Sequence, residues 1–86
     1  MKLEEIKIEI EELGYKLVLR DLYEYGKCLQ GGIPNEEKEY KIDSCFRVLI
    51  VDNKLMLDFM SQIKENKFFD SKKEMIEHIK KKFPIV

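Results

Sequence analysis

The residues that could do chemistry in this chain are few and poorly placed for catalysis. His78, the single histidine, sits beside the Met75/Ile79 positions of a C-terminal helical pattern. No cysteine or serine lies at a spacing that makes a nucleophile pair, so the reading is a boundary histidine without catalytic duty. Asp43 and Asp58 fall on the outward parity of an alternating segment, and a flat open sheet offers no cleft for paired-carboxylate chemistry. Gly31-Gly32 lacks the flanking pattern of a phosphate-binding loop. Cys28 and Cys45 stand without a C-x-x-C partner or a nearby histidine, which argues against a zinc centre and against a disulfide framework and leaves two reduced thiols. No enzyme, cofactor or metal is expected.

Two other groups of residues carry potential for binding. Lys72, Lys73, Lys80, Lys81 and Lys82 give the last helix a basic side, continued by Lys64 and Lys67. Such a side suits phosphates, although the commoner reading is a solvated face whose last lysines complement the helix C-terminus. The second group is the outward parity of the sheet, where Val18, Cys45, Leu49, Val51, Met56 and Met60 mix with Arg47 and Asp58. A contiguous apolar patch on an open face marks a partner. Arg47, Leu49, Met56, Asp58 and Met60 are therefore the candidate protein-binding residues, with the glycine-rich stretch 26–37 as a candidate contact loop. The first helix or the 61–69 segment covering part of that face is the competing reading.

The elements that must position these residues are legible from periodicity. Leu3, Ile6, Ile10 and Leu13 line one face of a helix over residues 2–13, and Gly14 follows at the position that ends it. From Tyr15 the period becomes two, predicting a strand to about Tyr25 with a bulge near Arg20-Asp21. Gly26, Gly31, Gly32 and Pro34 mark residues 26–37 as one long exposed loop. Tyr40, Ile42, Phe46, Val48 and Ile50 share one parity, interrupted by Ser44, and predict the second strand. Asp52-Asn53 makes a two-residue turn into the third. That turn sets Ile50 opposite Leu55, Val48 opposite Leu57 and Phe46 opposite Phe59 on one face. On the other it sets Arg47 opposite Asp58, Leu49 opposite Met56 and Cys45 opposite Met60. Residues 61–69 are read as a turn or short helix. Ser71-Lys72-Lys73-Glu74 matches a capping box, Met75, Ile76, Ile79 and Phe83 form the stripe of the last helix, and Pro84 ends it.

The predicted architecture is a single α+β domain in the order α-β-β-β-α, a three-stranded antiparallel meander with two helices on one face. Eighty-six residues with 44% apolar content allow one modest core. The longest apolar run, Val48-Leu49-Ile50-Val51, is far too short to span a membrane, and after Lys2 the stretch Leu3-Glu4-Glu5-Ile6-Lys7 carries charge where a secretory signal turns apolar after its basic start. A cytoplasmic location is expected. The net charge of -1 hides an acidic first half and a basic second half, so a basic patch on the latter is compatible with nucleic acid.

Two resemblances extend this reading. Ser71-Lys72-Lys73-Glu74-Met75 resembles the start of the second helix of the double-stranded-RNA-binding domain, which shares the helix, meander, helix order. That likeness implies phosphate contacts from Lys72 and Lys73. Met1, Leu3, Glu5, Ile6, Ile10, Tyr15, Leu17 and Leu19 look like the opening of a type of small phage-encoded anti-CRISPR protein that blocks Cas9. Members of that type mimic DNA by strong acidity, whereas this chain is nearly neutral. The resemblance thus implies an inhibitor that binds a protein partner through its sheet or loop.

Overall fold

Leu3, Ile6 and Ile10 are buried together on α1, Leu3–Glu12, as their spacing requires. Leu13 lies beyond the last helical residue and is half-exposed, because Gly14 at φ 109 turns the chain away directly after it. The computed structural model describes residues 2–39, 41–43, 45–59 and 65–85. Among the described residues five antiparallel strands follow α1: β1 Lys16–Asp21, β2 Lys27–Gly32, β3 Phe46–Val51, β4 Lys54–Phe59 and β5 Glu65–Phe69, paired in sequence order. The last helix, α2, spans Lys72–Lys82 and is capped by the Ser71 hydroxyl, which accepts from the Glu74 amide at 3.4 Å.

The α+β class and the meander hold, but the sheet has five strands rather than three. Lys27–Gly32 is a strand instead of part of a loop, since Cys28, Leu29, Gly31 and Gly32 are all buried and no alternation of polarity betrays it. A strand covered on both faces loses the period-two signal. The glycines serve close approach. A Cβ on Gly31 would come within 2.0 Å of the Lys16 carbonyl oxygen, and one on Gly32 within 2.4 Å of the Asp43 carbonyl oxygen. Residues 65–69, read as turn or helix, form β5; the remainder of the 61–69 segment lies outside the described residues.

The β3–β4 hairpin has the predicted register throughout the described pairs, from Val51 opposite Lys54 to Phe46 opposite Phe59. Asp52 and Asn53 both take positive φ, 51 and 64, the geometry whose twist suits a two-residue hairpin. The expected bulge at Arg20-Asp21 is absent, because β1 pairs regularly with β2 as far as Asp21 opposite Lys27. A bulge lies instead at Cys45-Phe46. Phe46 pairs with Gly31, and the Cys45 amide also donates to the Gly31 carbonyl at 2.8 Å. The described residues of 33–45 therefore form a loop rather than the first half of a strand, and Tyr40 and Ser44 lie outside the described residues. The loop is stapled by Asp43 N–H to Ile33 carbonyl and Asn35 N–H to Lys41 carbonyl, both 2.9 Å.

Leu17, Leu29, Phe46, Val48, Leu55, Leu57, Phe59 and Phe69 point to one side of the sheet, where α1 brings Leu3, Ile6 and Ile10 and α2 brings Met75 and Ile79. Both helices thus cover the same face. Phe83, just past α2, stacks on Phe46 and Phe59 at centroid distances of 5.5 and 5.9 Å, and its carbonyl accepts from the Tyr15 hydroxyl.

Candidate functional site

With the helices on the inner side, the opposite parity of the strands forms the outer face. Two cross-strand rows run over it. Val18, Gln30, Arg47, Asp58 and Asn66 make a mainly polar row, and Arg20, Cys28, Leu49, Met56 and Phe68 make a mainly apolar one. The polar row is organised by hydrogen bonds between neighbouring strands. Arg47 Nε donates to Asp58 Oδ2 at 3.0 Å and Arg47 Nη2 donates to the same oxygen, while Arg20 Nη1 donates to Gln30 Oε1 at 2.9 Å. The Arg47 and Asp58 side chains are only 33% and 18% exposed, so this ion pair is less screened than an ordinary surface pair.

Arg47, Leu49, Met56 and Asp58, singled out by sequence, line one open depression of about 480 Å³ together with Arg20, Asp21, Leu22 and Tyr23. Met60 lies outside the described residues. Arg20 and Asp21 end β1, and Leu22 leads into a short 3-10 turn, Tyr23–Tyr25, that joins β1 to β2. Asp21 Oδ1 accepts from the Tyr23 amide at 2.8 Å, and the Leu22 amide donates to the Gly26 carbonyl at 2.7 Å. These bonds hold Tyr23 at φ 58, a conformation unfavourable for an aromatic residue, with its side chain 89% exposed. The sequence signals for this turn were the loss of alternation at Leu22, the Asp two residues before the strained position, and Gly26. The loss of alternation thus marks the turn and not a bulge.

The face is not uniformly open. Leu49 is 6% exposed and Cys28 fully buried, whereas Val18 and Phe68 are 44% and 51% exposed. Burial pushes the Cys28 thiol above its ordinary pKa, against the opposing pull of Arg47 and Arg20. Both cysteines are free, and Cys45 is half-buried near Gly32.

The 26–37 contact loop does not exist as such: 27–32 is β2, and the loop proper begins at Ile33. The lysines of α2 are dispersed among partners. Lys72 sits 2.6 Å from Glu9 of α1, Lys80 lies 3.6 Å from Glu77, and the Lys82 ammonium lies 4.0 Å from the Phe59 ring centroid. Lys73 and Lys81 are exposed. Lys67 lies 5.7 Å from the Phe69 ring on β5, and Lys64 is outside the described residues. His78 rests between Phe59 and Phe69 at 5.8 and 5.5 Å, a packed boundary position. Asp43 receives the Asn35 amide in the loop instead of standing on the outer sheet face with Asp58. Among the described residues, no three His, Cys, Asp or Glu side chains group as metal ligands, and no helix is long and apolar enough to cross a membrane. No family model, curated protein or solved structure matches the chain.

Proposed function

We propose that this protein is a non-enzymatic interaction module that docks a protein partner on the outer face of its sheet and acts by occupying that partner, as an inhibitor of the anti-CRISPR kind. The observation that carries the reading is the convergence of Arg47, Leu49, Met56 and Asp58 on one depression with Tyr23 at its rim. An exposed tyrosine held in a strained turn beside a half-buried Arg–Asp pair has the composition of an interface centre. Aromatic and arginine side chains dominate binding energy there, and an existing ion pair has already lost part of its hydration. A stable interface buries about 800 Å² on each side, so a partner seated here extends past the depression over Val18 and Phe68.

The inhibitor form of the proposal is tested with purified Cas9 bound to guide RNA. The protein, added in excess, is expected to slow cleavage of target DNA, and Tyr23→Ala or Met56→Lys to weaken that effect by at least about tenfold. Unchanged cleavage at all concentrations removes the Cas9 inhibitor reading. The nucleic-acid alternative rests on Lys72, Lys73, Lys80 and Lys81, of which Lys72 and Lys80 have carboxylate partners. Duplex RNA or DNA bound at low salt, and released by Lys73→Glu with Lys81→Glu, would favour that alternative over the sheet face.

A further inference from the structure

An open five-stranded sheet has two edges, here β1 and β5, and each presents backbone groups with no strand beside them. Which groups those are follows from alternation, because successive residues of an antiparallel strand direct N–H and C=O to opposite neighbours. The Asp52-Asn53 turn closes Val51 on Lys54 as a hydrogen-bonded pair. Leu55, Leu57 and Phe59 then face β5, where Phe69, Lys67 and Glu65 answer them. Asn66 and Phe68 are left pointing their backbone groups at the open edge. Among the described residues those groups have no partner.

The other edge is blunted. The same alternation leaves Leu17, Leu19 and Asp21 outward on β1, and the Leu17 amide is already within 3.4 Å of Glu11 Oε2. A second copy paired antiparallel about Val18 would set Lys16 against Arg20. Paired about Arg20, it would set that charge against itself, and about Leu19 it would set Leu17 against Asp21. On β5 one register has none of these conflicts. Pairing about Phe68 sets Phe68 opposite its own copy, Asn66 opposite Asp70 and Lys67 opposite Phe69. The aromatic pair falls on the outer face, where Phe68 is 51% exposed. The Asn66 amide meets a carboxylate, and Lys67 meets a second Phe69 ring of the kind it already approaches at 5.7 Å.

We propose that β5 is a self-association edge, through which two copies of this chain pair antiparallel about Phe68 into one continuous sheet. The dyad of such a pair stands perpendicular to the sheet, so both depressions stay on the same side and the dimer presents two of them at once.

Sedimentation equilibrium of the full chain from micromolar to millimolar concentration tests this. The mass is expected to rise from 10.3 kDa to twice that value. Phe68→Lys places two like charges opposite each other and raises the dissociation constant by about tenfold or more. Phe68→Pro removes an outward N–H that the monomer does not use, with the same outcome. Exchange of the Phe68 amide with solvent slows with protein concentration, and Val18→Lys on the other edge changes nothing. A chain that stays monomeric at millimolar concentration overturns the proposal. So does a dimer indifferent to both Phe68 substitutions, or one lost with Val18→Lys.

Discussion

Leu49 and Met56 lie opposite each other on the outer face, yet they differ in what a charge would do there. Leu49 is 6% exposed while Met56 is partly exposed. Leu49→Asp buries a carboxylate without a partner and is expected to lower the melting temperature by more than ~10 °C, close to the effect of Val48→Asp on the inner face. Met56→Lys can carry its ammonium out to water and should cost within about 1 kcal/mol. Thermal melts of the three variants check this. Equal losses for Met56→Lys and Leu49→Asp would mean that the depression is closed in solution. The cysteines differ in the same sense. Cys28 is buried with its thiol pKa raised, so iodoacetamide should modify half-buried Cys45 first and reach Cys28 only on unfolding. Equal native rates would place Cys28 nearer solvent than its burial indicates.

At the scale of elements, the β1–β2 connection combines tight geometry with an ill-suited residue. Tyr23 at φ 58 has little side-chain burial to compensate its backbone conformation. Tyr23→Gly should therefore be more stable than Tyr23→Ala by about 1 kcal/mol, measured by urea denaturation, because only alanine retains the left-handed penalty. Equal stability of the two would remove strain from the account of this turn. The elements also show what a sequence can disclose. The β3–β4 hairpin was legible pair by pair because an inner apolar face and an outer mixed face force a strict alternation around a two-residue turn. β2 was not, since Cys28 and Leu29 are both buried and its two glycines have no side chain to alternate. β5 was missed because Phe68 is exposed beside buried Phe69, so its five residues show neither a clean alternation nor a helical period. Of the candidate site, the β3 and β4 residues were found, and Arg20 to Tyr23, at the end of β1 and in the turn after it, were not. A strained turn is recognised by dihedral angle, which composition does not report.

The whole molecule is tied across its ends by Tyr15, whose hydroxyl donates to the Phe83 carbonyl and whose pKa is raised from 10.0, chiefly by burial. A raised acid pKa means that the folded state holds the proton more tightly than the unfolded chain. The associated stability is complete below the ordinary tyrosine value and declines as pH rises from there toward the raised one. Tyr15→Phe should cost about 1 kcal/mol near neutrality, and its deficit relative to the parent should shrink in alkaline urea titrations. A deficit constant with pH would show that the hydroxyl is not buried in the fold. Glu11 behaves oppositely. Its pKa is lowered first by the hydrogen bond from Lys7, 2.6 Å away, so its share of stability is lost as pH falls through that lowered value.

Every strand pairs with the one next in sequence, and this has a consequence for how the chain acquires its shape. Neighbour-to-neighbour pairing joins only strands consecutive in the chain, so the sheet can zip from the β3–β4 hairpin outward without a distant closure. The inner face is different, for Leu55, Leu57, Phe59 and Phe69 are buried in one cluster with Met75 and Ile79, and Tyr15 waits for a carbonyl 68 residues away. On a ribosome the meander and α1 can thus be complete while the part of the apolar side that Met75 and Ile79 cover is still bare. Residues 71–83 complete the cover once they emerge, and until then the nascent sheet is the species most exposed to chaperones and to aggregation.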